Sequence, residues 1–175
     1  MYKNEALGNG IFVTRSSVHT FGTDALLLAS FAAPKNGDII CDLGAGCGII
    51  PMLFLRDIKP SQLFAVEIDS DACGQIKMSL DSSSAAGAVH VINKDLKLLN
   101  SDDIPLGRFD LVTMNPPYKD PKTGPVNNNA AAAAARFETQ CSLAEICAAA
   151  SRLTNFGGRF CMCSRTERLA DTVCE

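Results

Sequence analysis

The 175-residue chain has no tryptophan, only two histidines (His19 and His90), and no C-x2-C pair among its eight cysteines. Each absence removes a class of chemistry. The two histidines are far apart and neither accompanies a serine or cysteine nucleophile motif, which leaves no basis for a hydrolytic triad. The cysteines, at 41, 47, 73, 141, 147, 161, 163 and 174, mostly lie in apolar runs such as RFCMCS. There a free thiol behaves as a small buried hydrophobe, and no metal site is expected. No stretch approaches the roughly 18 apolar residues of a membrane span, and MYKNEALGNG lacks a signal-peptide core. A cytoplasmic protein without a membrane partner is expected.

Charge is equally sparing. The net value of -3 argues against a surface that binds nucleic acid indiscriminately. Its distribution is uneven, with 9 Lys and Arg against 13 Asp and Glu before residue 116 and 7 against 6 from there on. Lys119, Lys122 and Arg136 fall in the more basic part, where phosphate contacts and an ordinary solvated surface are both open readings. Asp102 and Asp103 read as a solvated loop.

What is present is a hydrophobic content of 47% and a mean hydropathy of +0.11, enough for one domain over residues 1–175. Apolar runs and helical stretches alternate. GIFVT (10–14) reads as a strand or hairpin arm, and Asp24 to Ala33 as a helix stopped by Pro34. Strands are expected at 38–43, 63–68, 89–93, 109–114 and 157–164. Helices are expected at 49–57, 71–83, 143–153 and from 167 to 174. This alternation specifies an α/β, Rossmann-like, doubly wound and mostly parallel sheet.

Such sheets hold ligands at the carboxyl ends of their strands. DLGAGCG places Asp42, Gly44, Gly46 and Gly48 between the first buried strand and its helix, where missing Cβ atoms let a ligand approach the backbone. A dinucleotide fingerprint would need glycine at position 49, which is isoleucine. Glu67 ends the next strand and is suited to accept from two ribose hydroxyls. Asp95, beyond the third strand, is placed to accept from an adenine amine.

The most telling string is Asn115-Pro116-Pro117-Tyr118, which closes the apolar run Phe109 to Met114. An exocyclic amine or an amide nitrogen is a poor nucleophile because its lone pair is delocalised. Two acceptors aimed at its N–H groups, the Asn115 side-chain oxygen and the Pro116 carbonyl, favour a pyramidal nitrogen whose lone pair faces an electrophile. Pro116 and Pro117 stiffen the turn and remove two donors. Tyr118 can stack on an extracted base.

With HTFGTDALLLASFA (19–32), DLGAGCGIIPML (42–53), VEID (66–69), Asp95-Leu96, FDLVTMNPPY (109–118) and FGGRF (156–160), nearly the whole chain resembles the class I S-adenosylmethionine-dependent methyltransferases. Within them it is similar to the bacterial tRNA1(Val) adenine-37 N6-methyltransferase family. The resemblance implies that Gly22, Thr23 and Asp24 line the methionine end of S-adenosylmethionine. Asp42, Gly44, Gly46 and Gly48 would form its floor, with Glu67 on the ribose and Asp95 on the adenine. Asn115, Pro116, Pro117 and Tyr118 would grip the target base, and Lys119 and Arg136 would contact tRNA. S-adenosylhomocysteine would be the product.

Two features depart from that pattern. Ala130 to Ala135 are six consecutive alanines where a mixed polar loop is expected, and Phe137, between Arg136 and Glu138, replaces a histidine. The family sheet also carries two more strands after the fifth, so a C-terminally incomplete domain with an uncovered edge strand, prone to association, is expected. Two further readings stay open: methylation of a glutamine amide in a release factor, and a cofactor-binding or RNA-binding module without catalysis. The first usually carries a helical domain before the glycine turn, whereas 41 residues precede Asp42 here.

Overall fold

The computed structural model describes residues 1–116, 141–164, 166 and 169–174. A hairpin comes first, β1 (Lys3–Gly8) with β2 (Ile11–Arg15), followed by helix α1 (Thr23–Ala32). Strands β3 (Ile39–Leu43), β4 (Gln62–Glu67) and β5 (His90–Asn93) alternate with α2 (Ile49–Asp57) and α3 (Ser70–Ser82). After a 3-10 turn at Leu96–Leu98 come β6 (Phe109–Met114), α4 (Leu143–Leu153), β7 (Thr154–Met162) and a short helix, Leu169–Cys174.

Five strands form one parallel sheet in the order β5-β4-β3-β6-β7, with β3 at its centre. The order reverses direction beside β3, which opens a crevice at the carboxyl ends of β3 and β6. Both faces are covered, which explains why IICDL and FDLVTM are nearly continuous apolar runs rather than alternating ones. One core joins Ile40, Leu63, Ala65 and Leu111 to α1, α2 and α3. The other joins Leu43, Val66, Val112 and Met114 to α4. His90 stacks on Phe64 with ring centroids 4.6 Å apart, so this histidine is structural.

The strand or hairpin arm expected at 10–14 is the second arm of a hairpin, β2, and its partner β1 is not among the expected strands. Asn9 and Gly10 both have positive φ, the requirement of the tight turn that matches strand twist. Helix α3 receives the hairpin through polar side chains. Fully buried Gln75 donates from Nε2 to the Thr14 carbonyl at 3.0 Å, while Ser79 Oγ accepts from Thr14 N at 2.8 Å and Ser83 Oγ from Phe12 N at 2.9 Å. These positions recur at helical spacing, so one face of α3 completes the free edge of β2.

Strand β7 begins at Thr154, ahead of the expected 157, because α4 runs directly into it. Its register slips between Phe109↔Thr154 and Leu111↔Arg159, and the regular ladder occupies Arg159 to Met162. Helix α4 starts on a capping box, in which Ser142 Oγ accepts from Glu145 N and the Glu145 carboxylate accepts from Ser142 N.

Candidate functional site

The turn from β3 to α2 is the structural centre of the crevice. Gly46 has φ +55, and a Cβ built there would meet nothing within 4 Å; its amide donates to Glu67 Oε2 at 2.8 Å. That is an open cradle a ligand can approach. Gly48 has a different reason to be glycine, because a Cβ there would strike Ile76 Cγ1 at 2.8 Å. It lets α2 lie close to α3.

Glu67, at the end of β4, is 9% exposed. Besides the Gly46 amide, its carboxylate accepts from Asp69 N at 2.9 Å through Oε1, so each oxygen is held by one backbone donor. A carboxylate has about four acceptor positions, which leaves two for a ligand. Asn93 Nδ2 pins the same strand end, donating to the carbonyls of Glu67 and Ile68, each at 2.9 Å.

Glu67 and Asp95 face one open groove, walled by Gly44, Val66, Ile68, Lys94, Leu96 and Cys141. Asp95 Oδ1 accepts from Lys97 N at 2.9 Å, and Oδ2 lies 3.6 Å from Lys97 Nζ. Lys94 Nζ is 2.6 Å from Asp103 Oδ2 and holds that carboxyl below its ordinary pKa. The loop at 102–103 therefore ties down the groove wall. Burial pushes the Cys141 thiol up to about 11, so the wall is uncharged at that residue.

Asp42 is buried beneath the glycine turn and accepts from Thr113 Oγ1 at 2.6 Å. Burial raises its carboxyl to about 7, with the Thr113 hydrogen bond opposing and the nearby Glu67 charge adding to the rise. The bond links paired residues of β3 and β6, and so ties the strand entering the glycine turn to the strand entering Asn115. Among the described residues Asn115 Oδ1, which is buried, has no hydrogen-bond partner, and Pro116 is buried beside it.

Gly22, Thr23 and Asp24 are exposed at the amino end of α1, which the fold brings to the same end of the sheet. The Asp24 carbonyl lies 3.8 Å from Cys163 Sγ, and Cys163 N donates to the Met114 carbonyl at 3.3 Å. Gly22, Asp24, Asp42, Gly44, Gly46, Glu67, Asp95 and Asn115 thus share the carboxyl edge. Pro117, Tyr118, Lys119, Lys122, Arg136 and the alanine run lie outside the described residues. Sequence reasoning missed Asn93, Ile68, Lys94, Leu96 and Cys141. Only the position of Ile68, Lys94 and Leu96 next to two chosen acids could have signalled any of them.

The parallel sheet, with two acceptors and a glycine cradle at its switch point, has the fold of a class I methyltransferase. The residues present fit S-adenosylmethionine, the cofactor of that class: the cradle is open, and Glu67 keeps free acceptor positions facing the groove. Residues 9–164 match the family model described as methyltransferase small domain, and the chain belongs to that family.

Among its relatives is the tRNA1(Val) (adenine(37)-N6)-methyltransferase of Pasteurella multocida (strain Pm70), 38% identical over 98 residues, or 55% of this chain and 40% of that protein. The protein of the same name from Cronobacter sakazakii (strain ATCC BAA-894) is 29% identical over 142 residues, 81% of this chain and 56% of its own. The chain therefore spans about half the length of the curated relatives it matches. A crystal structure of a predicted O-methyltransferase from Agrobacterium tumefaciens superimposes with a TM-score of 0.65 at 24% identity, covering 86% of this chain and 65% of that one. An S-adenosylmethionine-dependent methyltransferase from Thiobacillus denitrificans, in complex with S-adenosyl-L-homocysteine, gives 0.55 at 17% identity, over 83% and 50% of the chains. These structural likenesses concern the fold. Among the described residues no helix is long and apolar enough to cross a membrane.

Proposed function

We propose that this chain transfers a methyl group from S-adenosylmethionine to the exocyclic N6 of an adenine in tRNA, in the cytoplasm. The observation that carries the reading is the buried Oδ1 of Asn115, unpartnered among the described residues, at the carboxyl end of β6 beside the glycine cradle that ends β3. An unsatisfied buried acceptor costs about 1–3 kcal/mol, which a ligand N–H recovers. Relatives named for adenine 37 of tRNA1(Val) support the choice of base and of RNA.

When bound, S-adenosylmethionine supplies an electrophilic methyl on a sulfonium. Glu67 accepts ribose hydroxyls with the positions that Gly46 and Asp69 leave free, and Asp95 accepts from the adenine amine of the cofactor. Gly22, Thr23 and Asp24 close the methionine end. Asn115 Oδ1 accepts one N–H of the target amine and the Pro116 carbonyl a second, favouring the pyramidal nitrogen that attack requires. Pro117 stiffens the turn, and Tyr118 stacks on the base. Lys119 and Arg136 take RNA phosphates. The nitrogen loses its proton to water after attack, so no side chain is assigned as a base.

The test is mass spectrometry of unmodified tRNA incubated with S-adenosylmethionine and either the wild-type chain or Asn115→Ala. N6-methyladenosine is expected with the wild type, and at a rate about 10²- to 10³-fold lower with the variant. Equal yields would remove Asn115 from the mechanism, and no product from wild type would refute the assignment to tRNA.

A further inference from the structure

The segment from Ser16 to Thr23 joins the hairpin to α1, and its two ends are fastened at opposite sides of the crevice. At the first end, the His19 carbonyl accepts from Ser16 N at 2.9 Å and from buried Gln75 Nε2 at 3.2 Å, and the His19 amide donates to Ser16 Oγ at 3.0 Å. The ring then reaches Asp69, with Nε2 3.5 Å from Oδ1. Asp69 is the N-cap of α3, accepting from Asp71 N and Ala72 N, and its own amide holds Glu67 Oε1. At the second end, the Asp24 carbonyl sits 3.8 Å from Cys163 Sγ, just past β7.

Three strand spacings separate β4 from β7, roughly 14 Å at about 4.8 Å each. The five residues from His19 to Asp24 reach at most about 17 Å when extended. Little slack remains. Gly22 is extended, at φ -109 and ψ -179, and Phe21 packs on the core below. Helix α2 packs on α1, and Gly48 at its amino end lies against Ile76 of α3, so a strap running from α3 to α1 passes that amino end, where the glycine cradle opens.

We propose that His19 is a positioning residue. By latching to Asp69 it holds the strap Thr20 to Asp24 across the mouth of the cofactor crevice and couples it to the carboxylate of Glu67. It touches no reacting atom. Its effect is on how tightly the crevice closes around a nucleoside ligand, and it rests on the reading that S-adenosylmethionine occupies that crevice.

The experiment compares S-adenosylhomocysteine binding by calorimetry in wild type, His19→Ala, His19→Gln and Asp69→Asn, with amide hydrogen exchange over residues 20–24. His19→Ala should weaken binding about two- to five-fold, the effect of a partly exposed polar contact, and speed exchange in the strap. Glutamine retains a donor for Asp69 and should recover most of the affinity. Asp69→Asn still caps α3 and keeps an acceptor for Nε2, so it should lose less than His19→Ala, and combining it with His19→Ala should be no weaker than His19→Ala alone. Wild-type affinity in His19→Ala, or a loss that His19→Gln does not repair, overturns the latch and leaves the cofactor reading standing. No binding by wild type overturns the cofactor reading itself, and the latch with it.

Discussion

Asp42 provides a test in which folding and pH answer each other. Its carboxyl is raised from 3.8 to about 7, with burial as the main cause. Because the folded chain holds this proton more tightly than the unfolded chain, the group's contribution is fully present below pH 3.8. It is lost as pH rises to about 7 and is constant beyond. At 1.36 kcal/mol per pH unit, the loss comes to about 4 kcal/mol. Asp42→Asn removes the titration but keeps an oxygen to accept from Thr113 Oγ1. Unfolding in guanidinium should therefore show the variant equal to wild type near pH 4 and more stable by up to about 4 kcal/mol at pH 8. Asp57, Asp103 and Glu145 have lowered pKa values and act in the opposite direction, losing stability as pH falls, but they are common to both proteins and cancel in the difference. A difference that stays constant from pH 4 to 8 would refute burial of an ionisable Asp42.

Four further outcomes follow from the geometry. Gly46→Ala should cost about 1–2 kcal/mol for a left-handed residue and weaken S-adenosylhomocysteine in calorimetry, since the new methyl points into the open cradle. Gly48→Ala should lose about 1–3 kcal/mol more than that in a guanidinium melt, because its Cβ meets Ile76, which is fully buried and has nowhere to go. Asn115→Ala should leave the melting temperature unchanged or slightly higher while methyl transfer collapses, as the lost acceptor had no partner. Gln75→Leu should cost about 1–3 kcal/mol and accelerate amide exchange in β2, because the buried carbonyl of Thr14 loses its side-chain donor.

The strands and helices of the sheet were legible because their signals are local. IICDL and FDLVTM are apolar on both faces, and Pro34 stops α1 as expected, after Ala33 takes a left-handed conformation. The hairpin arm β1 was less visible, since KNEALG is polar and mostly exposed; Asn9-Gly10 was the one cue that marked it. The serines and glutamine of α3 read as an ordinary polar helix face until β2 lies against them. Cys141 could not be placed at all, because it meets Leu96 only after the chain has completed β6 and returned.

By itself the sequence determined which elements form, where the glycine turn and the Asn115-Pro116 corner fall, and which residue types they offer, since turn chemistry and periodicity act over a few neighbouring positions. Tertiary structure alone decided that the two corners adjoin, that Asn115 Oδ1 is buried with no donor among the described residues, that burial raises the Asp42 carboxyl, and that His19 meets Asp69. Each of those depends on the strand order β5-β4-β3-β6-β7, because desolvation and proximity are sums over atoms that the chain separates by tens of residues.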